Sequence, residues 1–261
     1  MRTHNIRAHG PAPLVLVHGN PENAAVWGPL LEVLDRTDAI ALSPPGFGVP
    51  LPRSFPATVD GYHRWLVERL ESFGEPVDLV GHDWGGVHVV GIAMARPDLI
   101  RSWVSDALGV YADDYVWHAM ARVWQQEGAG EESIGQLFGR PLSEQLEVVA
   151  QLGMSGDTAV RVAAGMDATM GRAVLSLLRS AAQPVMADAG RALPRAAERP
   201  GLALIAMQDL ENASGTTEQH RRAATLAGAR IAPLDDSGHW WPVEGPAEAA
   251  RAMRDFWASL G

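Results

Sequence analysis

The chain has 261 residues, 47% of them hydrophobic and 20% charged. That composition fits one α/β domain with an insertion, or two small domains, and excludes disorder, collagen and coiled coil. Twenty-one basic residues, all of them Arg, face 31 acidic ones. A net charge of −10 without a basic run argues against nucleic acid or an anionic membrane as partner. The absence of cysteine removes disulfides, thiolate catalysis and zinc ribbons together. With no 18-residue apolar stretch and no signal-peptide core, a soluble, cytoplasmic protein is expected.

In chain order, Pro13 to His18 is a short apolar run that predicts a buried strand. The spacing of Val26, Trp27, Leu30, Leu31 and Leu34 predicts a helix, and Ala39 to Leu42 a strand closed by the breakers Ser-Pro-Pro-Gly-Phe-Gly. A helix is expected over Tyr62 to Phe73, a buried strand over Val77 to Gly81, and a small-residue helix over Trp84 to Ala95. Trp103 to Leu108 reads as the next strand. Strands apolar on both faces, alternating with helices, imply a mostly parallel central sheet covered on both sides. From 111 to 195 the periodicity is helical throughout. Alternation then resumes with a strand at Gly201 to Met207, a helix around Thr217 to Ala227, a strand near Arg230 to Leu234 and a closing helix from Pro246 to Leu260. The expected organisation is a core of residues 1–110 and 196–261 interrupted by a helical insertion, 111–195.

Gly81-His82-Asp83-Trp84-Gly85-Gly86 lies between an apolar strand and a helix. A G-x-nucleophile-x-G turn at such a junction is strained, and its glycines let strand and helix approach. Serine usually occupies the centre; here it is Asp83. A carboxylate needs no activating base and can displace a halide or open a strained ring at an sp³ carbon. The resulting ester is cleaved by water that a histidine activates, with backbone N–H groups holding the oxyanion. His18-Gly19-Asn20-Pro21 follows the first strand and can supply one such donor, the Asn20 N–H, beside that of Trp84. Ser237-Gly238-His239-Trp240 follows the last strand, where a general base would have to sit. His82 and His88 lack metal-ligand spacing, and the glycines of 81–86 do not form a dinucleotide fingerprint. No metal or cofactor is expected.

Taken together, these three segments resemble the α/β-hydrolase superfamily, in particular its aspartate-nucleophile branch of epoxide hydrolases and haloalkane dehalogenases. The resemblance implies the α/β-hydrolase fold with 111–195 as a helical cap, and leading strands that here are reduced to about ten residues, leaving the sheet short of an edge strand. It makes Asp83 the nucleophile and His239 the base. The acid that orients His239 is expected at Asp209, after the strand that follows the cap. Asp106, before the cap, is the alternative, one step out of register and therefore facing the other way; Glu211 comes third.

The same resemblance assigns the leaving group. In dehalogenases the Trp after the nucleophile, often with an Asn at the position of Asn20, holds the departing halide, so Trp84 and Asn20 are candidate substrate-binding residues. In epoxide hydrolases two cap tyrosines, or a His and a Tyr, polarise the oxygen. Here Tyr115 or His118 would be the first, whereas Leu178 stands near the place of the second. Trp117, Trp124, Met154, Met166 and Met170 are expected to pack between cap and core. The function expected first is an epoxide hydrolase acting on a small or medium apolar epoxide and water. Haloalkane dehalogenase is the close alternative, and a non-catalytic ligand-binding homologue the third. A homodimer is compatible with the chain.

Overall fold

The computed structural model describes residues 12–209 and 213–261. Six strands form one parallel sheet: β1 (Leu14–Val17), β2 (Ala39–Leu42), β3 (Val77–Gly81), β4 (Ile100–Ser105), β5 (Gly201–Ala206) and β6 (Arg230–Leu234), in the order β2-β1-β3-β4-β5-β6. The first eleven residues and Glu211 lie outside the described residues, so the expectations placed there are not addressed. Every residue of β1 and β3 is buried, which is why those segments read as unbroken apolar runs rather than alternating ones. Burying a Leu or Val side chain in such a strand stabilises the fold by about 1.5–3 kcal/mol.

On one face of the sheet lie α1 (Gly28–Leu34) and the closing α11 (Pro246–Ala258), which pack on each other. On the other lie α2 (Val59–Glu71), α3 (Trp84–Ala95) and α10 (Thr217–Leu226). The stretch between β4 and β5 is helical: α4 (Ala119–Trp124), α5 (Ala129–Leu137), α6 (Leu142–Gln151), α7 (Gly156–Ala164), α8 (Ala168–Ser180) and α9 (Val185–Gly190). Here α4 and α5 pack on α8, and α6 on α7. Hydrogen bonds stitch this layer to the core. Asn23 Nδ2 donates to the Arg161 carbonyl at 2.9 Å, and Val59 N–H to Ser180 Oγ at 2.9 Å.

One strand is displaced from its expected position. β4 runs from Ile100 to Ser105, not from Trp103 to Leu108. Its early residues Arg101 and Ser102 are polar, but Asp78 on the neighbouring β3 accepts from both, Arg101 through two bonds of 2.8 and 2.6 Å and Ser102 through one of 2.6 Å. A polar pair satisfied across strands looks like a loop in one-dimensional hydrophobicity. The shift puts Asp106 just past the strand end, in the turn above the sheet.

Register then assembles a site. Val17 lies opposite Gly81, Gly81 opposite Ser105, and Ala206 opposite Leu234, so these strands end at one edge. The chain passes from β1 to the edge strand β2 and returns to β3 on β1's other side. The crevice between the β1 and β3 loops is therefore the switch point where parallel α/β sheets bind ligands.

Candidate active site

Asp83 occupies that crevice. It is the N-cap residue of α3, with φ 51° and ψ −125°, one of two described non-glycine residues at positive φ. Such backbone strain in an L-residue persists only where the surroundings enforce it, and it raises the side chain above the sheet. The enforcement is visible in two glycines. A Cβ at Gly85 would collide with the Val17 carbonyl, and one at Gly19 with the Asp83 side chain and the Trp84 backbone nitrogen. The turn thus closes on β1 and its loop without room for a methyl group.

Three loops converge on the carboxylate. From the β1 loop, Asn20 N–H donates to Asp83 Oδ1 at 2.9 Å. From the β6 loop, His239 Nε2 stands 3.6 Å from Asp83 Oδ2. From the β5 loop, Asp209 Oδ2 lies 3.4 Å from His239 Nδ1, and the Ala213 N–H donates to the same oxygen at 3.3 Å. The Gln208 N–H donates to the Ser237 carbonyl at 2.9 Å, binding the Asp209 loop to the His239 loop. The side chains of His239, Asp83 and Asp209 retain 17%, 15% and 13% exposure, so none of the three is sealed from solvent.

Electrostatics follow the geometry. Burial pulls the His239 imidazole down, but the hydrogen bond it donates to Asp209 and the charges of Asp83 and Asp209 outweigh it, so its pKa lies above the ordinary histidine value. Asp209 is held below the usual carboxylate range: burial works the other way, and the His239 hydrogen bond and charge prevail. A histidine with a carboxylate at each ring nitrogen can take a proton at Nε2 while Nδ1–H stays fixed toward Asp209.

Asp106, the alternative acid, is engaged elsewhere. Its Oδ2 accepts from His82 Nδ1 at 2.5 Å and from Trp241 Nε1 at 2.7 Å, and its Oδ1 accepts the Asp83 N–H at 3.0 Å. Among the described residues, only Asp83 and Asp209 come within 4.0 Å of a His239 ring nitrogen as carboxylate partners.

The candidate leaving-group residues divide. Asn20 is 8% exposed, and its Nδ2 has no hydrogen-bond partner among the described residues. Trp84 is buried and its indole stacks on Trp117, with ring centres 5.8 Å apart and planes 14° from parallel. Trp117 Nε1 is likewise buried without a partner among the described residues. Tyr115 is buried, but its hydroxyl donates to the Ala213 carbonyl at 2.8 Å, and burial together with Asp83 and Asp209 pushes the phenol well above its ordinary pKa. His118 caps α4, its Nδ1 accepting the Ala121 N–H at 3.4 Å. Leu178 is buried on α8. Of the two alternatives for the first polarising group, the Tyr115 hydroxyl is turned to a backbone carbonyl, and His118 accepts a backbone N–H through Nδ1. Trp124, Met154, Met166 and Met170 are buried as packing residues.

Two features around the site escaped the sequence reading. Glu22 looks like a solvated loop carboxylate, yet it is fully buried and its Oε1 accepts the Gly19 N–H. Trp117 looks like packing, and nothing in its spacing signals an unsatisfied indole N–H. Among the described residues no group of three His, Cys, Asp or Glu side chains is arranged to hold a metal ion, and no helix is long and apolar enough to cross a membrane.

Comparison with known proteins bears on the fold and the family. The model of the alpha/beta hydrolase family matches residues 14–252. Haloalkane dehalogenase 2 of Mycobacterium tuberculosis is 29% identical over 122 residues, 42% of this chain and 43% of that protein. Epoxide hydrolase 3 of Siraitia grosvenorii is 33% identical over 115 residues, 40% of this chain and 36% of its own. These matches thus cover less than half of either relative. Among solved structures, a loop variant of a haloalkane dehalogenase from Bradyrhizobium elkanii superposes with TM-score 0.71 at 19% identity, over 97% of this chain and 91% of that one. A candidate epoxide hydrolase of Pseudomonas aeruginosa gives 0.75 at 20%, over 96% and 90%. At such identities the superpositions speak for the fold, and the family match extends it to sequence: the chain belongs to the alpha/beta hydrolase family.

Proposed function

We propose that this hydrolase works through an alkyl–enzyme ester on Asp83. The observation that carries the reading is the placement of a carboxylate, not a hydroxyl, at the strained turn, with the Asn20 N–H on one oxygen and His239 Nε2 facing the other. Asp83 attacks an sp³ carbon and the leaving group departs with the bonding pair. His239, oriented by Asp209, then takes a proton from water as that water attacks the ester carbonyl. Collapse of the tetrahedral intermediate releases the alcohol and restores the carboxylate.

For the leaving group, the sequence favours an epoxide, whereas the geometry favours a halide. A halide leaves as an anion and needs only N–H donors. Asn20 Nδ2 and Trp117 Nε1 are buried donors without partners among the described residues, and the Trp84 indole stacks on Trp117. An opened epoxide leaves an alkoxide that also needs a proton, while the Tyr115 hydroxyl is given to Ala213, His118 Nδ1 faces the Ala121 N–H, and Leu178 offers none. We therefore assign dehalogenation of a small, neutral haloalkane as the first activity to test. Epoxide opening remains the second reading on one observation: Tyr115 is near enough to Asp83 and Asp209 to feel both charges.

The test is a panel of bromoalkanes and terminal or cyclic epoxides, scored for halide release and diol formation, with Asp83→Ala as control. Halide release that vanishes in the control supports this assignment. Diol formation without halide release would restore the epoxide reading. Neither product, with no covalent adduct, would leave a ligand-binding homologue.

A further inference from the structure

Several polar groups around Asp83 that this chemistry does not use form one connected array. His82 precedes Asp83 in the turn and is fully buried. Its Nδ1 donates to Asp106, the carboxylate that also accepts the Asp83 N–H. At the other ring edge, His82 Nε2 stands 3.9 Å from Glu22 Oε2. Neither of those two atoms has a hydrogen-bond partner among the described residues, and neither side chain has any exposure. Glu22 Oε1 accepts the Gly19 N–H, and the next residue is Asn20, whose N–H rests on Asp83 Oδ1. Both ends of the array therefore terminate on Asp83, one at its backbone nitrogen and the other at its carboxylate.

The charge of the middle member decides whether this arrangement holds. With Nδ1–H committed to Asp106, a neutral imidazole would present a lone pair at Nε2, which an ionised Glu22 repels in a medium that screens poorly, and of the two groups His82 holds a proton more tightly than Glu22. A cationic imidazole presents N–H to both carboxylates, and buried carboxylates persist when paired in this way. We infer that His82 is a positioning residue, a buried cation between Asp106 and Glu22 that locks the loop bearing Asn20 to the turn bearing Asp83. The inference rests on the reading of Asp83 as the reacting group.

Its electrostatic setting agrees. Burial pulls the His82 imidazole down, but Glu22, Asp106 and Asp83 outweigh it and push it up to about 9. Burial pushes Glu22 up to about 7, against the pull of His82. Two other titratable groups face the array. His239 has its ring centre 5.0 Å from that of His82, and His18 is driven down to about 4 by burial and is neutral.

The experiment labels the histidines of the whole protein with ¹⁵N and follows the ring-nitrogen resonances across about pH 6 to 8, the range in which ordinary histidines titrate. The His82 signal is identified by its loss in His82→Asn, whose side-chain amide keeps a donor for Asp106. The expected result is a His82 ring protonated on both nitrogens throughout. Glu22→Gln keeps an acceptor for the Gly19 N–H but removes the charge. In that variant His82 is expected to titrate within the same range, and alkyl-ester formation to slow about tenfold, roughly the effect of one lost orienting interaction. A neutral wild-type His82 near pH 7 overturns the inference, as does a Glu22→Gln protein with both the resonance and the alkylation rate unchanged. If that variant does not fold, the wild-type titration decides alone. A cationic His82 in a protein that never forms an adduct would support the array and overturn the chemistry assigned to Asp83.

Discussion

Two histidine–carboxylate pairs meet near Asp83, and they are built differently. The His239–Asp209 pair joins two loops, spans 3.4 Å and keeps some exposure on both partners. The His82–Asp106 pair spans 2.5 Å, with His82 at 0% and Asp106 at 5% side-chain exposure, and is tied to the Asp83 backbone. The loose, exposed pair can exchange protons with a reactant. The tight pair is buried more deeply, and its partners fix geometry. One residue type thus serves two purposes, and access separates them.

The largest effect that would break this comparison is at the exposed pair. His239→Gln is expected to slow ester hydrolysis by at least about 10³-fold while leaving Asp83 able to attack, as single-turnover kinetics would show. Asp209→Asn should slow the same step by about 10²-fold or more, with ester formation much less affected. An Asp106→Asn protein that shows this pattern while Asp209→Asn does not would exchange the two pairs' roles. Asp106→Ala should instead cost stability, about 3–5 kcal/mol by urea unfolding, because it strands His82 in the interior.

A smaller effect concerns pH. His239 must be neutral to accept a proton, and its partners raise its pKa above the ordinary value. The hydrolysis rate should therefore rise with pH through that raised value and level off above it. A rate that is flat between about pH 5 and 9 would contradict His239 as the base. Smaller again, Trp84→Phe, Asn20→Ala and Trp117→Phe should each reduce halide release about tenfold, the usual loss for one charge-assisted donor. Tyr115→Phe should change halide release by less than about twofold but diminish any diol formation.

How much of this was legible depends on the range of the interactions. Val77 to Gly81 and Trp84 to Ala95 are recovered with the expected ends, because a fully apolar strand and a helix of small residues are local patterns. That Asp83, Asn20 and His239 would meet was legible because a strained turn and the loops at strand ends restrict residue type locally. β4 was misplaced because its polar residues are satisfied from β3, a partner more than twenty positions away. Glu22 and the second indole were hidden for the same reason. Burial of a loop carboxylate and the lack of a partner for an N–H are properties of the assembled molecule. The Tyr115 hydroxyl falls in this class too, since its acceptor is Ala213, 98 residues further along the chain.

The central claim is that Asp83 itself becomes esterified. His239→Gln, incubated with a bromoalkane and measured as intact protein followed by peptide mapping, tests it directly. The account predicts one stable adduct of the alkyl group's mass, located on Asp83 and absent when Asp83→Ala is added to the variant. An unmodified Asp83 together with halide release at the wild-type rate would contradict it.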